Sequence, residues 1–180
     1  MMSMMTLVIG PNNSGKSAVA ESLARRLRDD GTGPGGRLFY IATMIPADDD
    51  GRRRVAAHRR SRAGAGFITI ESPLADGLAG PAGSPGASDI VLLEDVSNLL
   101  ANLIFTAHDA AATTTARQRI QALRDACRHL IAVTIGGLAP EPGFDDDTLA
   151  YIAALDELNT TLAAEAAQVI TRPGPAGGAS

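Results

Sequence analysis

Residues 10–17 constrain this chain more than any others. They read Gly10-Pro11-Asn12-Asn13-Ser14-Gly15-Lys16-Ser17, directly after a short apolar, β-branched run at 6–9 and directly before an Ala-, Leu- and Arg-rich stretch at 17–28. Strand, glycine-rich loop and helix in that order are the Walker A arrangement. Its chemistry needs these residue types. Small residues let successive backbone N–H groups curl around phosphates, and the helix start adds its positive end. In such a loop the Lys16 ammonium is expected to reach the terminal phosphates, and the Ser17 hydroxyl to ligate magnesium. Lys16 is the only lysine among 16 basic residues, the rest being arginine. A compact ammonium on a flexible stem reaches where a planar guanidinium does not, so its place in this loop is informative.

The rest of the chain alternates in the same sense. Strand-like runs at 37–43, 67–70, 89–93, 130–134 and 169–171 are separated by helical patterns at 52–62, 96–105, 114–128 and 148–167. In the last but one of these strand-to-helix cycles, Ile120, Leu123 and Cys127 fall on one helical face with arginines between them. Alternation of this kind implies a parallel sheet covered on both faces. With the phosphate loop it predicts an α/β fold of the P-loop NTPase (RecA-like) type, a mostly parallel sheet flanked by helices. Residues 29–36 are a breaker cluster, 80–88 (GPAGSPGAS) read as a flexible surface loop, and 172–180 (RPGPAGGAS) as a flexible tail beyond a single domain spanning 1–171.

Composition narrows the function classes. An apolar share of 45% fills a core, but aromatics make up 3% with no Trp, so stacking platforms for single-stranded nucleic acid are not expected. A net charge of -4 argues against a general polyanion binder. The single Cys127 excludes an internal disulfide and a multi-cysteine metal site. Residues 1–5 lack the features of a signal peptide, and no uncharged stretch is long enough to span a bilayer, so a cytoplasmic protein with no membrane span is expected.

Two further groups carry chemistry. Glu94, at the end of the fully apolar run 89–93, stands where an acid at the carboxyl end of a parallel strand faces the ligand crevice and positions magnesium; Asp95 is its neighbour. Either acid could instead mark the strand's exit or cap the next helix. Arg54, His58 and Arg62 lie four apart and share one helical face, with Arg59 nearby and with Asp48, Asp49 and Asp50 suited to the helix start. Such a face can hold a triphosphate and keep an imidazole neutral for attack on phosphorus. A solvated basic helix and a nucleic-acid patch are the other readings of the same residues.

The order of segments is more specific than any one of them. The phosphate loop, then Tyr40-Ile41-Ala42-Thr43-Met44, then RRRVAAHRRSRAGAGFITIESP (52–73), then LLEDVSNLLANLIF (92–105), and later Tyr151, Leu155 and Asn159, resemble the bifunctional adenosylcobinamide kinase / adenosylcobinamide-phosphate guanylyltransferase family. The resemblance implies a P-loop α/β homotrimer of cobalamin synthesis. It would phosphorylate the aminopropanol hydroxyl of adenosylcobinamide and then transfer GMP from GTP to adenosylcobinamide phosphate through a guanylylated histidine, with ATP and GTP as substrates and Mg2+ as cofactor. The matching histidine is His58, which with Lys16 and Glu94 forms the implied catalytic set. Implied nucleotide contacts fall on residues 10–17, on Ala42, Thr43 and Met44, on Arg59, Arg60, Ser61 and Arg62, and on Glu71 and Glu94; the implied metal ligands are Ser17 and Glu94. The chain departs from the family pattern at Ile135-Gly136, where members usually carry Asn-Glu, at Ala65, at Pro11-Asn12-Asn13, and around residues 171–175.

Overall fold

The computed structural model describes residues 3–30, 36–78, 80 and 82–175. Its elements run β1 (Met4–Gly10), α1 (Lys16–Asp29), β2 (Leu38–Ala42), α2 (Asp49–Gly64), β3 (Phe67–Glu71), β4 (Ile90–Glu94), α3 (Val96–Ala101), α4 (Ala112–Ala126), β5 (His129–Ile135), α5 (Asp146–Glu165) and β6 (Gln168–Thr171). The strands form one sheet in the order β3-β2-β4-β5-β1-β6, and every pairing is parallel.

Apolar runs become inner strands because a parallel sheet is buried on both faces. Along β4, Ile90 and Leu92 face one core with Leu38, Tyr40, Ile131 and Val133, under Ala20, Leu23 and Ala24 of α1. Val91 and Leu93 face the other, with Phe39, Ile41, Leu130 and Ala132 under α3, α4 and α5. The helical period appears in what α4 buries: Ala112, Ala116, Ile120 and Leu123. Helices α2, α3 and α5 begin on aspartates, Asp48, Asp95 and Asp145, whose carboxylates accept from Gly51 N at 2.6 Å, Asn98 N at 2.7 Å and Thr148 N at 2.7 Å.

Register sets the functional edge. Ala42 pairs with both Glu71 and Glu94, and Gly10 with Ile135, so the strands end together. Strand β5 lies between β4 and β1, and the acid at the end of β4 therefore meets the phosphate loop across one intervening strand.

Several expected boundaries move. The helix expected over 96–105 is α3 followed by a π-helical turn, Asn102–Thr106, that turns Phe105 outward to 46% exposure. The α2 helix starts three residues before Arg52, because Asp48 supplies the cap and Asp49 and Asp50 form the first turn. The described part of the loop expected to be flexible is pinned: Arg37 donates to Ala82 O at 2.6 Å and Ser84 O at 3.0 Å, and pairs with buried Asp89 at 2.8 Å. Residues 31–35 of the breaker cluster, residue 81 of that loop with residue 79 just before it, and 176–180 of the expected tail lie outside the described residues. Among the described residues no helix is long and apolar enough to cross a membrane.

Candidate active site

The phosphate loop is built by two left-handed residues. Asn13 (φ 58°) and Gly15 (φ 76°) curl the chain between β1 and α1, the backbone form that turns successive N–H groups to one side. Gly10 leaves no room for a side chain: a Cβ there would lie 2.7 Å from Ser14 Oγ and 2.9 Å from Arg172 O. Lys16 is buried, and its Nζ folds back to donate to Pro11 O at 3.1 Å. Ser14 Oγ is buried inside the loop with no hydrogen-bond partner.

The two adjacent acids at the end of β4 divide the roles that sequence left open. Glu94 reaches the loop, where its Oε1 accepts from Ser17 Oγ at 2.5 Å. Asp95 caps α3 and also accepts from Ser97 Oγ at 2.6 Å. Burial pushes the Glu94 carboxyl up to about 7; the Ser17 hydrogen bond and Lys16 oppose this, and the charges of Asp95 and Glu21 add to it. Glu94 Oε2 is buried without a partner. A hydroxyl beside a carboxylate with one oxygen unused suits Mg2+, a hard cation that takes few protein oxygens and completes its shell with phosphates and water. No group of three or more His, Cys, Asp or Glu among the described residues could hold an ion unaided. The residues present therefore fit a cation bound together with a nucleotide.

Beside this pair opens a cleft of about 440 Å³, whose walls include Ser17 and Glu94, Arg54, His58 and Arg62 of α2, and Glu71, Ala42 and Met44. The four-residue spacing thus does bring Arg54, His58 and Arg62 to one face, and His58 is exposed to the cleft. Arg62 is 9% exposed. Its guanidinium lies 3.9 Å from the centre of the Tyr40 ring, and its Nε has no partner. Burial raises the Tyr40 phenol, so the ring stays a neutral platform for that cation.

The remaining α2 residues do less. Arg52 and Arg53 pair with Asp49 and Asp50 one helical turn before them, and Arg59 pairs with Glu71 at 3.4 Å. Arg60 and Ser61 are exposed and do not wall the cleft. Thr43 is fully buried, donating to Asp95 O at 2.8 Å and accepting from Asp95 N at 2.7 Å, so its side chain fixes the β4 exit instead of facing the cleft. Sequence reasoning did not single out Glu21, Val55 and Asn98, which also wall the cleft. None of the three belongs to a motif, so none carries a sequence signal of its own. Tyr151 and Asn159, named for the resemblance, brace the same end of the sheet. Tyr151 donates to Ser97 O at 3.1 Å. Asn159 accepts from Thr134 Oγ1 at 2.7 Å and donates to Ile135 O at 2.9 Å.

A phosphate loop leaving the first strand of a parallel sheet, answered by an acid from a strand two places away, is the mark of the P-loop class of α/β nucleotide-binding proteins. Within that class the match is narrower. A model of the cobinamide kinase / cobinamide phosphate guanyltransferase family matches residues 6–173, nearly the whole chain, and the chain belongs to that family. Membership places it among the nucleotide-binding transferases of cobalamin biosynthesis. A search of curated proteins finds no match.

Proposed function

We propose that the protein carries out both reactions of its family. It phosphorylates the aminopropanol hydroxyl of adenosylcobinamide. It then moves GMP from GTP to adenosylcobinamide phosphate through His58, giving adenosylcobinamide-GDP. The observation that carries this reading is that His58 walls the same cleft as Ser17 and Glu94.

The N–H groups of the phosphate loop and the Lys16 ammonium hold the triphosphate, Lys16 exchanging its present bond to Pro11 O for phosphate oxygens. Mg2+ held by Ser17 and Glu94 would offset charge on the transferring phosphates. In the transferase half, a ring nitrogen of His58 attacks the α-phosphorus of GTP. A P–N bond forms, the bond to the β-phosphate oxygen breaks, and pyrophosphate leaves. An oxygen of adenosylcobinamide phosphate then attacks the same phosphorus and releases the imidazole. Arg54 and Arg62 supply positive charge along the cleft wall for the departing pyrophosphate. ATP and GTP are the substrates in this scheme, a homotrimer is the assembly and the cytoplasm the compartment. The resemblance supports the trimer, and the single, buried Cys127 fits a reducing compartment.

A kinase-only enzyme is a second reading, and so is a nucleotide-binding protein without turnover. Both are favoured by the β5 exit, where Ile135-Gly136 offers no polar side chain and a Cβ on Gly136 would lie 2.6 Å from Ile9 Cγ1. Product analysis with adenosylcobinamide, ATP and GTP separates the three. We expect the wild type to form both the phosphate and the GDP-linked product, Lys16→Ala to lose both, and His58→Ala to lose only the second. Phosphate without the GDP-linked product would favour the kinase alone, and tight nucleotide binding with neither product the non-catalytic reading.

A further inference from the structure

We propose that Arg172 is a positioning residue for nucleotide phosphates, brought to the phosphate loop by the edge strand β6 next to β1. This rests on the reading of residues 10–17 as the nucleotide cradle. Strand β6 pairs in parallel with β1, Thr171 opposite Ile9, and the next residue continues the ladder: Arg172 N donates to Ile9 O at 2.8 Å. The residue at the start of the expected tail is therefore tied to the sheet and runs alongside the loop. Its Cβ and carbonyl oxygen pack 3.0 and 2.9 Å from where a Cβ on Gly10 would stand. Its side chain reaches residues 14 and 15 of the loop. Nε donates to Ser14 O at 3.2 Å, and Nη2 lies 3.9 Å from the Cβ position of Gly15.

The contact with Ser14 O has a geometric consequence. In a trans peptide the carbonyl and the following N–H point opposite ways. Holding the Ser14 carbonyl outward therefore turns the Gly15 N–H inward, toward the phosphates. Only one of the five guanidinium donors is used in that bond, and among the described residues no carboxylate pairs with Arg172. Its charge thus stays available beside the cradle, where it adds to that of Lys16. The ligand class is a nucleoside di- or triphosphate, whose β- and γ-phosphates occupy such a loop. A nucleoside monophosphate gains little from either effect.

The test is calorimetric titration of the full chain with GTP, GDP and GMP, comparing wild type, Arg172→Ala, Arg172→Lys and Lys16→Ala. We expect Arg172→Ala to weaken GTP and GDP about tenfold, the scale of one charge-assisted hydrogen bond, and GMP less than threefold. Arg172→Lys, which keeps the charge and one donor, should recover most of the loss. Equal weakening of all three nucleotides, or no recovery with lysine, would reduce Arg172 to a packing role and overturn the inference. So would unchanged GTP affinity in Arg172→Ala while Lys16→Ala binds weakly. Unchanged affinity in Lys16→Ala would instead bring down the cradle reading on which the inference rests.

Discussion

Neighbouring side chains of the same type take separate tasks in this protein, and the hydrogen bonds decide which. Glu94 and Asp95 are the clearest pair, one turned to Ser17 and the other into the first turn of α3. The order of residues put two acids at the end of an apolar run and left open which of them caps the next helix; the direction each faces is set by the chain's turn into α3. A different buried group gives a pH prediction. His129 sits at the amino end of β5, its Nε2 2.8 Å from Thr6 Oγ1, and burial holds its imidazole below the ordinary value of 6.5, with the Arg128 charge acting the same way. The unfolded chain then binds the proton more readily than the folded one. Stability from this residue is fully present above about pH 6.5 and is lost as pH falls through the lower folded value. Urea unfolding of wild type and His129→Gln at pH 7.5 and pH 5 should show a steeper acid loss in the wild type; parallel loss in both would contradict this. Asn159 latches the end of β5 through Thr134 and Ile135, so Asn159→Leu should cost about 2 kcal/mol in the same measurement, the scale of buried polar groups left unpaired. A loss within a few tenths of a kcal/mol would show that the latch contributes little.

Among the elements, α2 stands apart. It buries only Gly51 and Arg62, whereas α1, α4 and α5 each bury an apolar stripe. A helix with so little packing depends on its cap and on the Arg62–Tyr40 contact, since its i,i+3 ion pairs are exposed and add little. It also carries Arg54, His58 and Arg62, so the residue proposed as the GMP carrier lies on the helix that buries the least apolar surface. Asp48→Ala should remove about 1 kcal/mol of capping and accelerate amide exchange across residues 49–64 without changing α4. Equal exchange in the two proteins would mean that tertiary contacts hold α2 instead. Its existence was readable from the Arg-rich pattern and the acids before it, and so was the shared face of Arg54, His58 and Arg62. Its weak docking was not, because an arginine buried against Tyr40 looks in sequence like any other surface cation.

At the scale of the molecule, the alternation of apolar runs and amphipathic segments was enough to anticipate a mostly parallel sheet, and every pairing in it proves parallel. The loop at 10–17 was enough to say at which end of it the strand-to-helix turn of the P-loop class would lie. Strand order was not legible, since it depends on crossover connections and not on any local run. For that reason the approach of Arg172 to the loop emerged only with the fold, whereas the pairing of Glu94 with Ser17 was implied by the resemblance. The same order makes the central claim testable in one step, because β4, α2 and the loop converge on a single cleft. The protein should be incubated with GTP labelled at the α-phosphate in the absence of any corrinoid, digested, and the labelled peptide sequenced by mass spectrometry. We predict an acid-labile, base-stable GMP adduct on His58, discharged when adenosylcobinamide phosphate is added. Stable label on another residue, or no adduct while GTP is demonstrably bound, would contradict the assignment of His58 as the carrier.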